Sequence, residues 1–321
     1  MPGRAGGEPA AVSAALARLA LGLLALAAGC APLLGARPLA AARPGATTFH
    51  TVRVGGRERS YMLHLPAGMT NDVPRPLVLV FHGNTGNATT VRAESNLDAV
   101  SDRFGYEVAY LNGTGSLRYA DLTWNVRTCC GFALRHRVDD VGFARAVVDA
   151  LATTEHADRS RVYAAGLSSG GTLALLLACD ASDLVAGVAS VAGTMPETPC
   201  EPARRLTVLL VRGERDDELA RDHAENAARG SPAYATSFDA AQAFWAARDG
   251  CAGATVRDST PLAAIVRSAD CPTGVGVEQV IVRGQGHAWP GGAKPWWFSP
   301  APSPLDGASL MLELFSRAAA R

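Results

Sequence analysis

With 321 residues, 48% of them apolar, and 30 basic against 30 acidic side chains, the chain is long enough to bury the core of one large α/β domain or two small ones. The balanced charge speaks against nucleic acid as the main partner, because phosphate recognition leaves a basic excess. Aromatic residues are sparse, and no internal repeat is visible.

The first element is the apolar run Leu19 to Gly29, preceded by Arg4 and Arg18 and followed by Cys30. It is shorter than the roughly 20 residues of a membrane span and reads as an export signal over residues 1–30. Leu26-Ala27-Ala28-Gly29-Cys30 resembles a bacterial lipobox, with Ala27 where leucine is usual. Cys30 is therefore the candidate lipidation site, and ordinary cleavage near the Ala-rich segment is the alternative. Either route places the mature chain outside the cytoplasm, as a secreted protein or as a cell-envelope lipoprotein held to the membrane through Cys30. The Pro/Ala/Arg-rich residues 31–46 read as a linker, and residues 47–321 as a single domain.

From Thr47 the pattern alternates: Thr47 to Val54 and Arg59 to Leu65 flank Gly55-Gly56, a hairpin with a glycine turn. Pro76 to Phe81 is a continuous apolar strand of the kind buried on both faces of a parallel sheet. A helix around Arg92 to Arg103, a strand Glu107 to Leu111, a long loop and a helix Val138 to Leu151 follow. Strands are expected at Arg161 to Ala165, Val185 to Val191, Leu206 to Val211 and Glu278 to Val282, with helices after Gly170, over Phe238 to Arg248 and over Leu305 to Arg317. Such alternation predicts an α/β fold, a mostly parallel central sheet with helices on both faces and antiparallel strands at the N-terminal edge.

Gly166-Leu167-Ser168-Ser169-Gly170 falls between the strand ending at Ala165 and an apolar helix. A G-x-S-x-G motif in strand-turn-helix context is the nucleophile elbow of an α/β-hydrolase, where the sharp turn lifts the serine hydroxyl above the sheet. In that fold the acid and then the histidine follow the nucleophile along the chain. Only His223 and His287 follow Ser168. His223 lies in the polar stretch Glu218 to Arg229, whereas His287 lies in the glycine-rich loop after a strand and is the expected base. Asp216, three residues past Gly213 at the end of the preceding strand, is the expected acid, with Asp217 as its neighbouring rival. The oxyanion donors are expected from the backbone of Ser169 and from Gly83 or, preferably, Asn84, in the loop Phe81-His82-Gly83-Asn84-Thr85-Gly86. His82 precedes the serine and reads as a loop-shaping residue. Trp289, beside the expected base, and Trp124 are candidate substrate contacts, although packing explains Trp289 equally well.

Setting Cys30 aside, six of the seven cysteines remain, an even number that reads as disulfides in an exported chain. Proximity along the sequence suggests Cys179 with Cys200 and Cys251 with Cys271, leaving Cys129 and Cys130 either to join each other or to pair elsewhere. A metal site at Cys129, Cys130 and His136 lacks a fourth ligand, so no metal is expected. Asp139 and Asp140 open a helix and read as caps rather than as an acid/base pair.

Phe81-His82-Gly83, Trp124-Asn125, Cys129-Cys130-Gly131, Val138-Asp139-Asp140-Val141-Gly142-Phe143, the elbow and Gly286-His287-Ala288-Trp289-Pro290-Gly291-Gly292 together resemble the polyhydroxybutyrate depolymerase family of secreted esterases, which includes feruloyl and acetylxylan esterases. The resemblance runs from about Thr47 to Phe315 and implies a serine esterase with Ser168, Asp216 and His287 as triad, working through an acyl-enzyme without metal or organic cofactor. This chain departs from the family pattern in reading Leu-Ser-Ser-Gly for the commoner Leu-Ser-Asn-Gly, Gly-Glu-Arg-Asp for Gly-Thr-x-Asp, and Arg212 for a histidine. The expected substrate is a feruloyl-, acetyl- or hydroxyalkanoate-type ester, plant cell-wall or polyhydroxyalkanoate derived. With no separate binding module after the catalytic region, soluble or oligomeric esters come ahead of granular polymer. A peptidase or thioesterase using the same triad, and an idle polymer- or carbohydrate-binding lipoprotein on the same fold, are the rival expectations.

Overall fold

The computed structural model describes residues 44–68, 73–127, 129–195, 199–217, 238–252, 255–293 and 303–319. All of them fall within one unit, Ala42–Arg321. The expected signal segment, Cys30 and nearly all of the expected linker lie outside them.

The leading hairpin is β1 (Thr47–Val54) and β2 (Arg57–His64), paired antiparallel. Next come β3 (Arg75–Phe81), helices α1 (Ala88–Ser95) and α2 (Leu97–Phe104), and β4 (Glu107–Leu111). A short helix α3 (Gly131–Arg135) precedes α4 (Asp140–Thr154), β5 (Ala157–Leu167), α5 (Ser169–Asp180), β6 (Gly187–Val191) and β7 (Thr207–Gly213). Helix α6 (Phe238–Arg248), strands β8 (Thr255–Ser259), β9 (Ala263–Ser268) and β10 (Val277–Val282), and α7 (Gly307–Ala319) complete the order. The ten strands form one sheet in the order β1-β2-β4-β3-β5-β6-β7-β10-β9-β8. Its centre, from β4 to β10, is parallel, and both edges are antiparallel.

Every residue of β3 is buried because successive side chains enter two different cores. Leu77, Leu79 and Phe81 pack with Phe143 and Val147 of α4, Leu173 of α5 and Trp245 of α6. Val78 and Val80 join Val91 of α1, Val100 of α2 and Phe315 of α7 on the opposite face. Helix α5 is buried along Ser169 to Cys179, as befits a helix apolar on all sides. Cys179 at its end is bonded to Cys200, Cys251 to Cys271, and Cys129 to Cys130.

Three features differ from the sequence reading. The helix expected around Arg92 to Arg103 is two helices, because Asn96 takes a left-handed conformation (φ 54°, ψ 27°), which asparagine tolerates. The loop expected before α4 contains α3. The far edge of the sheet carries the hairpin β8–β9, which the Cys251–Cys271 disulfide brackets. Its outer strand exposes Thr255, Arg257, Asp258 and Ser259, so it lacks the apolar alternation by which a strand is recognised.

At the amino-terminal ends of β3 and β4, Arg75 donates to Glu107 at 2.9 Å, the side chains 1% and 0% exposed. Burial pushes the Glu107 carboxyl up to about 8, with Arg75 pulling the other way. Arg75→Met should cost roughly 3–5 kcal/mol of stability, the toll of breaking a buried pair. A carboxyl whose folded pKa exceeds its unfolded one favours the fold at low pH and loses that contribution as pH rises through the folded value. Without Arg75 the folded value climbs further, so the deficit measured by urea unfolding should be wider at pH 8 than at pH 5.

Candidate active site

Strand β5 delivers Ser168 at the carboxyl end of the sheet, and α5 starts on the next residue. Ser168 is held at φ 56° and ψ −123°, a conformation that costs a non-glycine residue about 1–3 kcal/mol. The turn closes only because its flanks lack side chains: a Cβ on Gly166 would lie 2.3 Å from the Gly170 backbone, and one on Gly170 would lie 2.3 Å from the Phe81 carbonyl oxygen. Ser168 N–H donates to Val191 O at 2.8 Å, and Thr172 N–H to Ser168 O at 3.0 Å, so the backbone around Ser168 is pinned on both sides. Ser169 N–H belongs to the first turn of α5, whose donors have no acceptor within the helix.

His287 Nδ1 lies 3.0 Å from both Oδ1 and Oδ2 of Asp216, with side chains only 8% and 4% exposed. A carboxylate only accepts, so Nδ1 carries a proton, and in the neutral ring Nε2 is then the basic nitrogen, the arrangement a general base requires. Of the two adjacent carboxylates it is Asp216 that meets the imidazole, while Asp217 is exposed. The loops that carry Asp216 and His287 are zipped together by Glu214 N–H to Val282 O and Arg215 N–H to Gln285 O, both 2.8 Å. Gly284 N–H adds a bond to Glu214 Oε2 at 2.9 Å. A Cβ on Gly213 would approach Gln285 O to 2.3 Å and Gly286 O to 2.4 Å, so glycine is what lets these loops touch. Gln285, buried, braces the histidine loop by donating to Ala288 O at 2.7 Å and accepting from Ser303 N–H at 2.9 Å. Sequence reasoning passed over Gln285, because a lone glutamine in a glycine-rich loop carries no pattern.

The loop after β3 passes directly over Ser168, since a Cβ on Gly83 would lie 3.5 Å from Ser168 Cβ. Gly83 is half-buried and Asn84 exposed. His82 is fully buried: Nδ1–H donates to Gly83 O at 2.7 Å, and Nε2 accepts from Gly113 N–H at 2.9 Å. The bond accepted at Nε2 requires a neutral ring, and burial lowers its pKa to about 4.

The two tryptophans stand elsewhere than a substrate platform would. Trp124 is fully buried under the loop, its indole N–H donating to His82 O at 2.8 Å. Trp289, 2% exposed, packs into the core on the α7 side of the sheet. Neither offers a ring face to a ligand, because the loops that carry them fold the indoles inward. Asp139 caps α4 through Gly142 N–H at 2.7 Å. Asp140 is instead a buried partner of Arg59 at 2.7 Å and accepts from Asn125 N–H at 2.8 Å. His223 lies outside the described residues.

Comparison with known proteins bears on this geometry. The family model described as Esterase PHB depolymerase matches residues 59–239. "Putative esterase NocK" of Nocardia uniformis subsp. tsuyamanensis is 36% identical over 280 residues, covering 81% of this chain and 78% of its own length. Feruloyl esterase B of Piromyces equi is 29% identical over 75% of this chain, and poly(3-hydroxybutyrate) depolymerase of Ralstonia pickettii 32% identical over 53% of it. The chain spans 44% and 38% of those two relatives. Among solved structures, acetyl xylan esterase from Aspergillus awamori shares the fold with a TM-score of 0.56 at 13% identity, covering 84% of this chain and 99% of that one.

The His82 environment makes a direct expectation. An imidazole with pKa about 4 against an ordinary 6.5 should show flat NMR shifts from pH 8 down to pH 5. Its folded value lies below its unfolded one, so its contribution to stability is complete above about pH 6.5 and falls away as the pH drops toward 4.

Proposed function

The chain belongs to the PHB depolymerase family of esterases and is a carboxylic ester hydrolase, and we propose that it works as a serine esterase through Ser168, His287 and Asp216. The observation that carries this reading is the bond of His287 Nδ1 to both Asp216 oxygens at 3.0 Å, which fixes the ring orientation and the tautomer in which Nε2 is the basic nitrogen.

Ser168 Oγ attacks the ester carbonyl as its proton passes to His287 Nε2. Asp216 holds the tautomer and stabilises the imidazolium. The carbonyl oxygen, now negative, is received by the N–H groups of Ser169 and Asn84, with Gly83 lying beside it. His287 then protonates the departing alcohol, and water, activated by the same imidazole, releases the acyl group. The substrates proposed are feruloyl, acetyl or hydroxyalkanoate esters, in line with the names of the relatives. The disulfides fit an oxidising compartment outside the cytoplasm. We take residues 1–30 as the export signal, Cys30 as its lipid-modified end, residues 31–46 as a linker and 47–321 as the catalytic domain.

Ser168→Ala should abolish hydrolysis of p-nitrophenyl acetate, a loss of roughly 10⁶ in kcat, together with labelling by a fluorophosphonate. Asp216→Asn should lose roughly 10⁴ in kcat by favouring the wrong tautomer, with Asp217→Asn unchanged. Full activity in the Ser168 variant would refute the assignment. Methyl ferulate, acetylated xylan and a hydroxybutyrate oligomer assayed side by side would identify the acyl group.

A further inference from the structure

Trp124 follows β4 in a loop that is anchored on both sides of the indole. Thr123 exchanges two backbone hydrogen bonds with Thr114, both 3.0 Å, and Trp124 O accepts from Cys130 N–H at 3.0 Å. Asn125 N–H donates to Asp140 Oδ2 at 2.8 Å, and Asp140 is itself locked to Arg59. The indole lies edge-on to Phe81, with centroids 5.3 Å apart, and tilted against the His82 ring at 4.7 Å. Its N–H meets the His82 carbonyl at 2.8 Å.

That carbonyl belongs to the same peptide group as the Gly83 N–H. A trans peptide is planar, and its C=O and N–H point in opposite directions. Anchoring His82 O to a buried indole therefore aims Gly83 N–H away from the core. The next peptide is held the same way: Gly83 O accepts from His82 Nδ1–H at 2.7 Å and from Gly86 N–H at 3.1 Å, which orients the Asn84 N–H. His82 O also abuts the nucleophile helix, since a Cβ on Gly170 would lie 2.6 Å from it. Any buried acceptor would satisfy an indole, so burial alone does not select this one. The contrast is Trp289, whose buried Nε1 has no hydrogen-bond partner among the described residues. Among the described residues, then, one buried indole has no partner and the other bonds the donor loop.

We propose that Trp124 is a positioning residue for the oxyanion loop: by holding the His82 carbonyl it sets the direction of the Gly83 and Asn84 N–H groups before substrate arrives. The inference rests on the serine-esterase reading and adds to it a residue that touches neither substrate nor the reacting atoms. Pre-aimed donors act on the tetrahedral oxyanion more than on the bound ester, so losing their support lowers kcat and leaves KM in place. Deleting a whole oxyanion donor costs roughly 10²–10³ in kcat, and loosening one should cost about 10- to 100-fold.

The test compares wild type and Trp124→Phe on p-nitrophenyl acetate, with phenylboronic acid as a tetrahedral mimic and thermal unfolding as the control. The expected result is a kcat lower by about 10- to 100-fold, an unchanged KM, and boronate inhibition weakened by a similar factor, with the folded state retained. A wild-type kcat in Trp124→Phe would overturn the proposal, as would a lower kcat with undiminished boronate affinity. Should Trp124→Phe fail to fold, β-(3-benzothienyl)alanine placed at position 124 keeps the bicyclic shape and removes only the N–H, and the same two results decide. Wild-type protein that neither hydrolyses the ester nor takes a fluorophosphonate would overturn the esterase reading and this inference together. An active wild type with an indifferent Trp124→Phe overturns this inference alone.

Discussion

The carboxyl end of the sheet is arranged around one steric constraint, the distance at which α5 turns back over β5. With Ser168 at φ 56°, the backbone of Gly170 comes so near Gly166, Phe81 and His82 that no Cβ fits between them. Gly193, after β6, is in the same position, a Cβ there lying 2.7 Å from Ser168 O. What holds this strained turn closed is the burial on either side of it. Leu173, Leu175, Leu176 and Leu177 of α5 are all fully or nearly fully buried, and each such side chain contributes about 1.5–3 kcal/mol. That is ample to offset the 1–3 kcal/mol typical of a strained backbone. The serine is thereby presented by a rigid helix and strand rather than by a loop.

Around the elbow, the loops at the strand ends are fastened by buried polar side chains, each joining two segments. His82 ties the loop after β3 to the one after β4, and Gln285 braces the histidine loop against Ser303. Asn112 accepts from Ala88 N–H at 2.8 Å and donates to Ser60 Oγ at 3.0 Å, linking β2, β4 and the start of α1. Arg59 and Asp140 fasten the loop that carries Asn125. Buried polar groups are costly unless bonded, so satisfied ones hold a single geometry.

Much of the architecture was readable along the chain because it depends on local pattern. Pro76 to Phe81 announces a strand buried on both faces, and the hairpin at Gly55-Gly56 and the helix over Phe238 to Arg248 follow equally local rules. The break at Asn96 escaped notice because an asparagine is also tolerated inside a helix pattern. The outer strand β8 escaped because an edge strand need not be apolar. Trp124 and Trp289 were candidate substrate contacts, with packing an equal account of Trp289, and the structure buries both. Their burial follows from the way distant segments close over them, which neighbouring residues do not encode.

By itself the sequence determined the kind of sheet, the position of the elbow and the order in which Ser168, Asp216 and His287 occur, since strand period, helix period and glycine placement are properties of short segments. Only the tertiary structure decided that Asp216 and not Asp217 reaches the imidazole, that Trp124 faces the His82 carbonyl, and that Gln285 and Asp140 are braces. Those choices depend on contacts between residues far apart in the chain, where a rotation of one loop by a single residue would exchange the side chain that points inward for one that points to water.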